Sequence, residues 1–188
     1  MHYKQALSSC ASIMALALGL GVTASAQDET PTPKYEIGLL YSGIHVNSSQ
    51  NDSSRTGNGG AGYFEYNLTR SWGLVGDLAG YANTGKGNRL FTYMFGPRYN
   101  FRHSRFTPYA QTLFGAAHLW GGQDYSRTQN GFAMAVGGGV DYRLTNRIAI
   151  KPAQVEYVLT RIDSTTGFGG HQNDIRYSAG VVLRLGSK

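Results

Sequence analysis

Cysteine is almost missing from this chain. The single one among 188 residues is Cys10, and it falls in a segment that reads as removable, so disulfides, thiolate metal sites and a cysteine nucleophile are excluded from the mature protein. Helical patterning is missing as well: beyond residue 26 no stretch repeats its apolar residues with the 3.6-residue period of an amphipathic helix. The apolar run "ASIMALALGLGV" falls short of the roughly 20 residues that a spanning helix needs. Acids are scarce, 11 Asp and Glu against 17 Lys and Arg. The basic surplus is modest and scattered, while the aromatics alternate within strand-like runs. That argues against nucleic acid as a partner, which requires a basic stripe with stacking platforms.

Residues 1–26 carry Lys4 near the start, then the apolar run, then "ASA" at Ala24 to Ala26. This is the layout of a secretory signal peptide cleaved before Gln27. The stretch "LSSC" resembles a lipoprotein processing box, but the apolar run follows Cys10 instead of preceding it, which argues against acylation. Losing Lys4 with the signal takes the formal charge from +6 to +5. Residues 27–34, "QDETPTPK", read as a flexible polar leader, and 35–188 as one domain.

What the domain does have is glycine, 26 residues in the whole chain, and eight runs of strand type. They are Tyr35 to Val46, Gly60 to Leu68, Trp72 to Tyr81, Arg89 to Phe101, Thr107 to Leu119, Gly131 to Arg143, Arg147 to Arg161 and Asp174 to Leu185. Each has about the length, roughly 9 to 11 residues or a little more, with which a tilted strand crosses a bilayer. Short connections at Thr69 to Ser71, Arg102 to Phe106 and Leu144 to Asn146 alternate with long polar ones such as "NSSQNDSSRTGN" and "DSTTGFGGHQN". Short turns on one side and long loops on the other predict an all-β fold: an eight-stranded antiparallel up-and-down transmembrane barrel.

Glu36, Glu65, Asp77, Asp141 and Glu156 sit inside these runs. In "GYFEYNLTRSWGLVGDLAGY", period-two geometry sets Phe64, Tyr66, Leu68, Trp72, Leu74 and Leu78 on one face, and Tyr63, Glu65, Val75, Asp77 and Ala79 on the other. Glu36, Asp141 and Glu156 likewise fall opposite their large apolar neighbours. Alternation alone does not say which face is inside, because a soluble barrel has an apolar interior and a charged exterior. Residue size does. The charged face is otherwise small, with Gly38, Ser42, Gly73, Ala133, Ala135, Gly137, Gly139, Ser178 and Gly180, as a narrow eight-strand lumen requires. Buried ions need partners, and Arg98, Arg143, Lys151, Arg176 and Arg184 are assigned to the same face. The expectation is an internal salt-bridge ladder filling the barrel, with solvated rim positions as the alternative, above all for Arg143 and Arg184 near strand ends.

Outward aromatics gather near the short turns. Tyr35, Tyr66, Trp72, Tyr99, Phe101, Tyr109 and Tyr142 are expected to form an interface girdle. Arg70, Arg102, Arg105 and Arg147 lie in or beside those turns, facing lipid phosphates or water.

The stretches "YNLTRSWGLVGDLAGY", "YMFGPRYNF", "TPYAQTLFGAAH", "GGGVDYRLTNRIAIKPAQVEYVLTR" and "RYSAGVVLRL" resemble the small outer-membrane β-barrel family, the OmpA-like transmembrane domain of porin-family proteins, over nearly the whole mature chain. The resemblance implies an eight-stranded barrel in the bacterial outer membrane with a polar-filled interior. Function does not follow from it. Two departures stand out. The eighth run passes into the final residues "LGSK", so a peptidoglycan-binding domain, and with it cell-wall anchoring, is not expected, and the last apolar residue is Leu185 where members often end in an aromatic.

Rival motifs lack their context. "GNGGAG" at Gly57 to Gly62 and "GYANTGKG" at Gly80 to Gly87 approach nucleotide-binding loops, but strands follow where helices belong. "NLT" at Asn67 reads as turn chemistry, not as a glycan acceptor. Lipid A deacylases pair His-x-Ser. Here His45, His103, His118 and His171 are followed two on by Asn47, Arg105, Trp120 and Asn173, so no catalytic residues are assigned. No cofactor and no metal are implied, His171 being the weak candidate ligand. The expected protein is therefore a monomeric, non-enzymatic barrel, its lumen filled by charge pairs and its external loops the interaction surface. Two alternatives stay open: a narrow channel for water or ions, and an adhesin or lipopolysaccharide-binding protein using Arg55, Lys86, Arg89, Arg127 and Arg161 near the external loops.

Overall fold

The computed structural model describes residues 32–47, 55–82, 88–121, 129–162 and 170–187. The signal segment, most of the leader and the centres of the long connections lie outside the described residues. Eight strands run in order: β1 (Pro33–Asn47), β2 (Arg55–Asn67), β3 (Trp72–Ala82), β4 (Asn88–Asn100), β5 (Phe106–Gly121), β6 (Gln129–Arg143), β7 (Ile148–Ile162) and β8 (Gly170–Ser187). Each pairs antiparallel with its sequence neighbours, and β8 returns to β1 to close the barrel. Closure removes every free sheet edge, which is the condition for strands to exist in hydrocarbon.

The ladders reach further toward the long loops than the hydrophobic pattern does. β5 runs to Gly121 and β8 starts at Gly170, four residues before the alternation begins at Asp174. Backbone pairing needs no apolar side chain, so the strands continue past the end of the apolar pattern. At the other end Pro33 opens β1 opposite Ser187, so the last residues of the expected leader belong to the barrel. A proline at a strand's first position forfeits no ladder bond.

The three short turns share one end. Two of them are built alike, by Leu-Thr at Leu68–Thr69 and Leu144–Thr145. The Thr69 hydroxyl accepts from the amides of Ser71 and Trp72 at 3.2 and 2.9 Å, and that of Thr145 accepts from Arg147 and Ile148 at 3.2 and 3.0 Å. A local hydroxyl thus replaces ladder partners where the chain reverses. The third turn sets Ser104 at φ 43° and closes with a bridge between His103 and Phe106.

The alternation points inward and outward as the sequence predicts. Leu39 and Phe95, on the outer face, are 73% and 71% exposed, whereas Glu65 and Lys151 are 0% exposed. An outer face carrying Leu39, Leu74, Leu78, Tyr93, Phe95, Val155 and Val181 in the open far exceeds the apolar patches that soluble monomers tolerate. One strand breaks strict alternation. Lys151 and Glu156 lie five residues apart, so period two would set them on opposite faces. β7 carries one residue more than either neighbour between Lys151 and Gln154, and Pro152 and Ala153 both face out. This bulge brings Lys151 inside together with Gln154 and Glu156.

Candidate functional site: the polar interior of the barrel

Inward residues on the turn side of the strands are largely polar, and those on the loop side are largely apolar. On the turn side lie Glu36, Glu65, Asn67, Arg98, Asn100 and Gln111, all buried. Toward the loops the same faces bury Ile44, Leu90, Met94, Leu113, Ala117, Ala133 and Val158. The expected charge ladder therefore does not fill the whole lumen. Apolar side chains pack much of the loop-side part, alongside the buried polar groups Thr92, Thr160 and Asp174.

Glu156 is the hub. Its Oε1 accepts from Gln111 Nε2 at 2.6 Å, and its Oε2 accepts from Gln154 Nε2 and Arg176 Nε at 2.6 Å each. Arg176 also donates through Nη1 to Asp77 Oδ1 at 2.7 Å, tying β3 to β7 across the lumen. Arg98 donates to Glu65 Oε2 and to Gln111 Oε1, both at 2.7 Å, and Asn100 Nδ2 donates to Glu65 Oε1 at 2.7 Å. The Arg98 guanidinium is stacked between two rings, 4.6 Å from the centroid of Tyr63 and 4.3 Å from that of Tyr109. Such a desolvated cation over aromatic faces gains about 2 kcal/mol. Lys151 Nζ lies 2.7 Å from Asp141 Oδ1 and donates to the Tyr109 hydroxyl at 2.7 Å, which in turn donates to Gln154 Oε1 at 2.7 Å. Toward the loops the Ser42 hydroxyl shares hydrogen bonds with Tyr81 and Ser178 at 3.0 and 2.8 Å.

Glycine makes room for this. Gly38 faces Tyr63 in register, Gly137 faces Glu156, and Gly139 faces Tyr109. At each a Cβ would overlap the partner side chain, so the large polar groups lie over positions that have no side chain.

The structure brings together nine of the ten expected network residues: Glu36, Glu65, Asp77, Arg98, Asp141, Lys151, Glu156, Arg176 and Arg184 are all buried. Arg143 is only part-buried. Tyr109 is a correction. It was expected in the outer girdle but is 4% exposed inside, because β5 carries no charge to mark its inner face. Gln111 on the same parity was the available signal. Arg102 was also placed outside, but it donates to Glu36 Oε1 at 3.0 Å and to Asn67 Oδ1 at 2.8 Å, continuing the inward parity of Arg98 and Asn100. Charge does not mark the amides Asn67, Asn100, Gln111 and Gln154, which are buried in the network too; Asp174, at the very start of the predicted eighth run, is also buried, near the loop end of β8.

The other six aromatics of the expected girdle lie on the outer face, where neighbouring rings touch. Tyr35 meets Tyr66 at 5.5 Å between ring centroids, Tyr99 meets Trp72 at 5.0 Å and Phe101 at 4.7 Å, and Tyr142 meets Phe106 at 4.9 Å. Of the loop-side bases, Arg89 and Arg161 are exposed. Arg55 opens β2 opposite Val46, and its side chain, like Lys86 and Arg127 entirely, lies outside the described residues. His45 contacts Thr56 and His118 contacts Asn130. Among the described residues no three His, Cys, Asp or Glu gather as metal ligands.

A family model described as outer membrane protein beta-barrel domain matches residues 14–184. No curated protein sequence matches the chain. Among solved structures, Neisserial surface protein A superposes with a TM-score of 0.62 at 19% identity, covering 81% of this chain and 97% of that one. OprG of Pseudomonas aeruginosa gives 0.53 at 12% identity, covering 84% and 98%. Ail, the attachment invasion locus protein of Yersinia pestis, gives 0.51 at 14% identity, covering 80% and 96%. At these identities the likeness is one of fold.

Proposed function

We infer that this chain, which belongs to the outer membrane protein β-barrel family and resides in the bacterial outer membrane, is a non-enzymatic monomeric barrel whose interior is closed by its own side chains. On this reading residues 1–26 are removed on export, and the external loops carry the interactions. The observation behind it is the chain of bonds Asp77–Arg176–Glu156–Gln111–Arg98–Glu65, which crosses the lumen with every link at 2.6 or 2.7 Å. An eight-stranded barrel has an interior just wide enough for side chains, and here they occupy it on the turn side with hydrogen bonds and on the loop side with apolar packing. In a planar lipid bilayer the purified chain is expected to give no stable unitary current. Steady currents that change when Glu65→Gln or Arg98→Gln is introduced would replace the closed barrel by a narrow channel.

A second reading rests on Arg89 and Arg161, exposed at the loop-side ends of β4 and β7. On this reading they meet lipopolysaccharide phosphates, and each is expected to contribute about 1 kcal/mol, roughly fivefold, to binding that anionic surface. Arg89→Gln with Arg161→Gln should weaken retention on immobilised lipopolysaccharide. Unaltered retention would remove these residues from the proposed contact.

A further inference from the structure

The turn-side mouth of the barrel holds more cation than its neighbours neutralise. A recess there is lined by Glu36, Arg102, Thr107, Asp141, Arg143 and Arg184. Its two carboxylates are already engaged. Asp141 pairs with Lys151 at 2.7 Å. Glu36 serves two guanidiniums through one oxygen: Arg102 Nη2 at 3.0 Å and, more loosely, Arg184 Nε at 3.8 Å. Arg143 lines the same recess, part-buried, and among the described residues no carboxylate lies within ion-pair distance of it.

The backbone fixes where these side chains start. The Arg143 amide donates to Arg105 O and the Arg184 amide to Arg147 O, each at 2.8 Å, so both strand ends are anchored to the neighbouring turn. Three planar forks thus line one small recess that offers them about one carboxylate. All six described acids of the chain, Asp174 included, are buried, so no exposed acid among the described residues supplies the missing charge. Guanidinium forks match the paired oxygens of a phosphate.

We propose that this mouth is an oxyanion site that takes a phosphate group, held by Arg143 and Arg184 with the Thr107 hydroxyl beside them. The group comes from a soluble phosphate or from a lipid head in the adjacent leaflet, and the two are separable.

The test uses the full chain refolded in nanodiscs, reading the arginine side-chain Nε–H resonances. In discs of zwitterionic lipid, phosphate titrated against chloride at constant ionic strength is expected to shift Arg143 and Arg184 saturably. Arg143→Gln should weaken the midpoint read at Arg184 at least tenfold, while Arg147→Gln, in the exposed turn, leaves it unchanged. In a second arm without phosphate, discs containing phosphatidylglycerol are compared with purely zwitterionic ones. A shift in the first arm identifies a soluble anion, and a shift in the second alone identifies a headgroup. Each supports the site. No saturable shift in the first arm together with no shift in the second overturns it, as does an equal loss on Arg147→Gln, which would mark diffuse attraction. The wild-type titration decides by itself should Arg143→Gln fail to fold, which its heat-resistant migration on a denaturing gel reveals.

Discussion

Replacing Arg176 by methionine is expected to destabilise the barrel by about 3–5 kcal/mol or more, the cost of removing one partner from a buried ion pair. Arg176 is 1% exposed and donates to two carboxylates, Asp77 at 2.7 Å and Glu156 at 2.6 Å. Methionine fills much of the volume but leaves both acids buried, close together and short of a cation. Guanidinium unfolding from lipid bilayers measures the loss. The pair Arg98 and Glu65 supplies the internal control. Arg98→Met alone strands Glu65, whereas Arg98→Met with Glu65→Leu removes both charges and is expected to recover most of the stability, since well-packed apolar replacements of buried pairs are often neutral or stabilising. Asn100 keeps Asn67 Oδ1 at 3.4 Å in the double variant, and Gln111 keeps Glu156 at 2.6 Å, so few groups are orphaned. An Arg176→Met protein within about 1 kcal/mol of the parent would mean that water reaches these carboxylates, and the closed interior would have to be given up.

Much of this network was legible because charge is conspicuous on an alternating strand. Glu65 and Asp77 sit among Phe64, Tyr66, Leu74 and Leu78, and period two alone sends them inward. The signal fails wherever a residue is ambiguous between faces. Tyr109 suits an interface girdle and a lumen equally well, since its ring is apolar and its hydroxyl is not. Only the strand's register decides, by opposing it to Gly139. Arg102 belongs to a turn in the sequence and to the lumen in space, because Phe101 and Arg102 extend the β4 alternation by two residues after the strand ends at Asn100. Lys151 reached the right face through a bulge that Pro152 hints at but does not locate. The apolar packing toward the loops, Ile44, Leu90 and Leu113 among it, was hidden by the rule that a large apolar residue faces lipid. That rule fails near strand ends, at Ile44 and Leu90, and in mid-strand at Leu113.

Leu39→Arg, near the middle of β1, is expected to destabilise the protein in a bilayer by about 2–4 kcal/mol, the cost of an arginine on the lipid face at the midplane. Leu39 is 73% exposed, so no packing partner is lost and the loss reports the surrounding medium alone. In water the same substitution at so open a position would fall within about ±0.5 kcal/mol. Leu144→Arg gives the comparison. It is also exposed but lies in a short turn, at the interface, where the cost drops to about 0–1 kcal/mol. A barrel bathed in water treats the two positions alike, whereas one embedded in lipid separates them by the depth of each residue. Equal and small effects at both sites, measured in liposomes of matched thickness, would mean that the apolar belt carrying Leu39 and Phe95 does not face acyl chains, and the inward placement of the charges would then have no membrane to explain it.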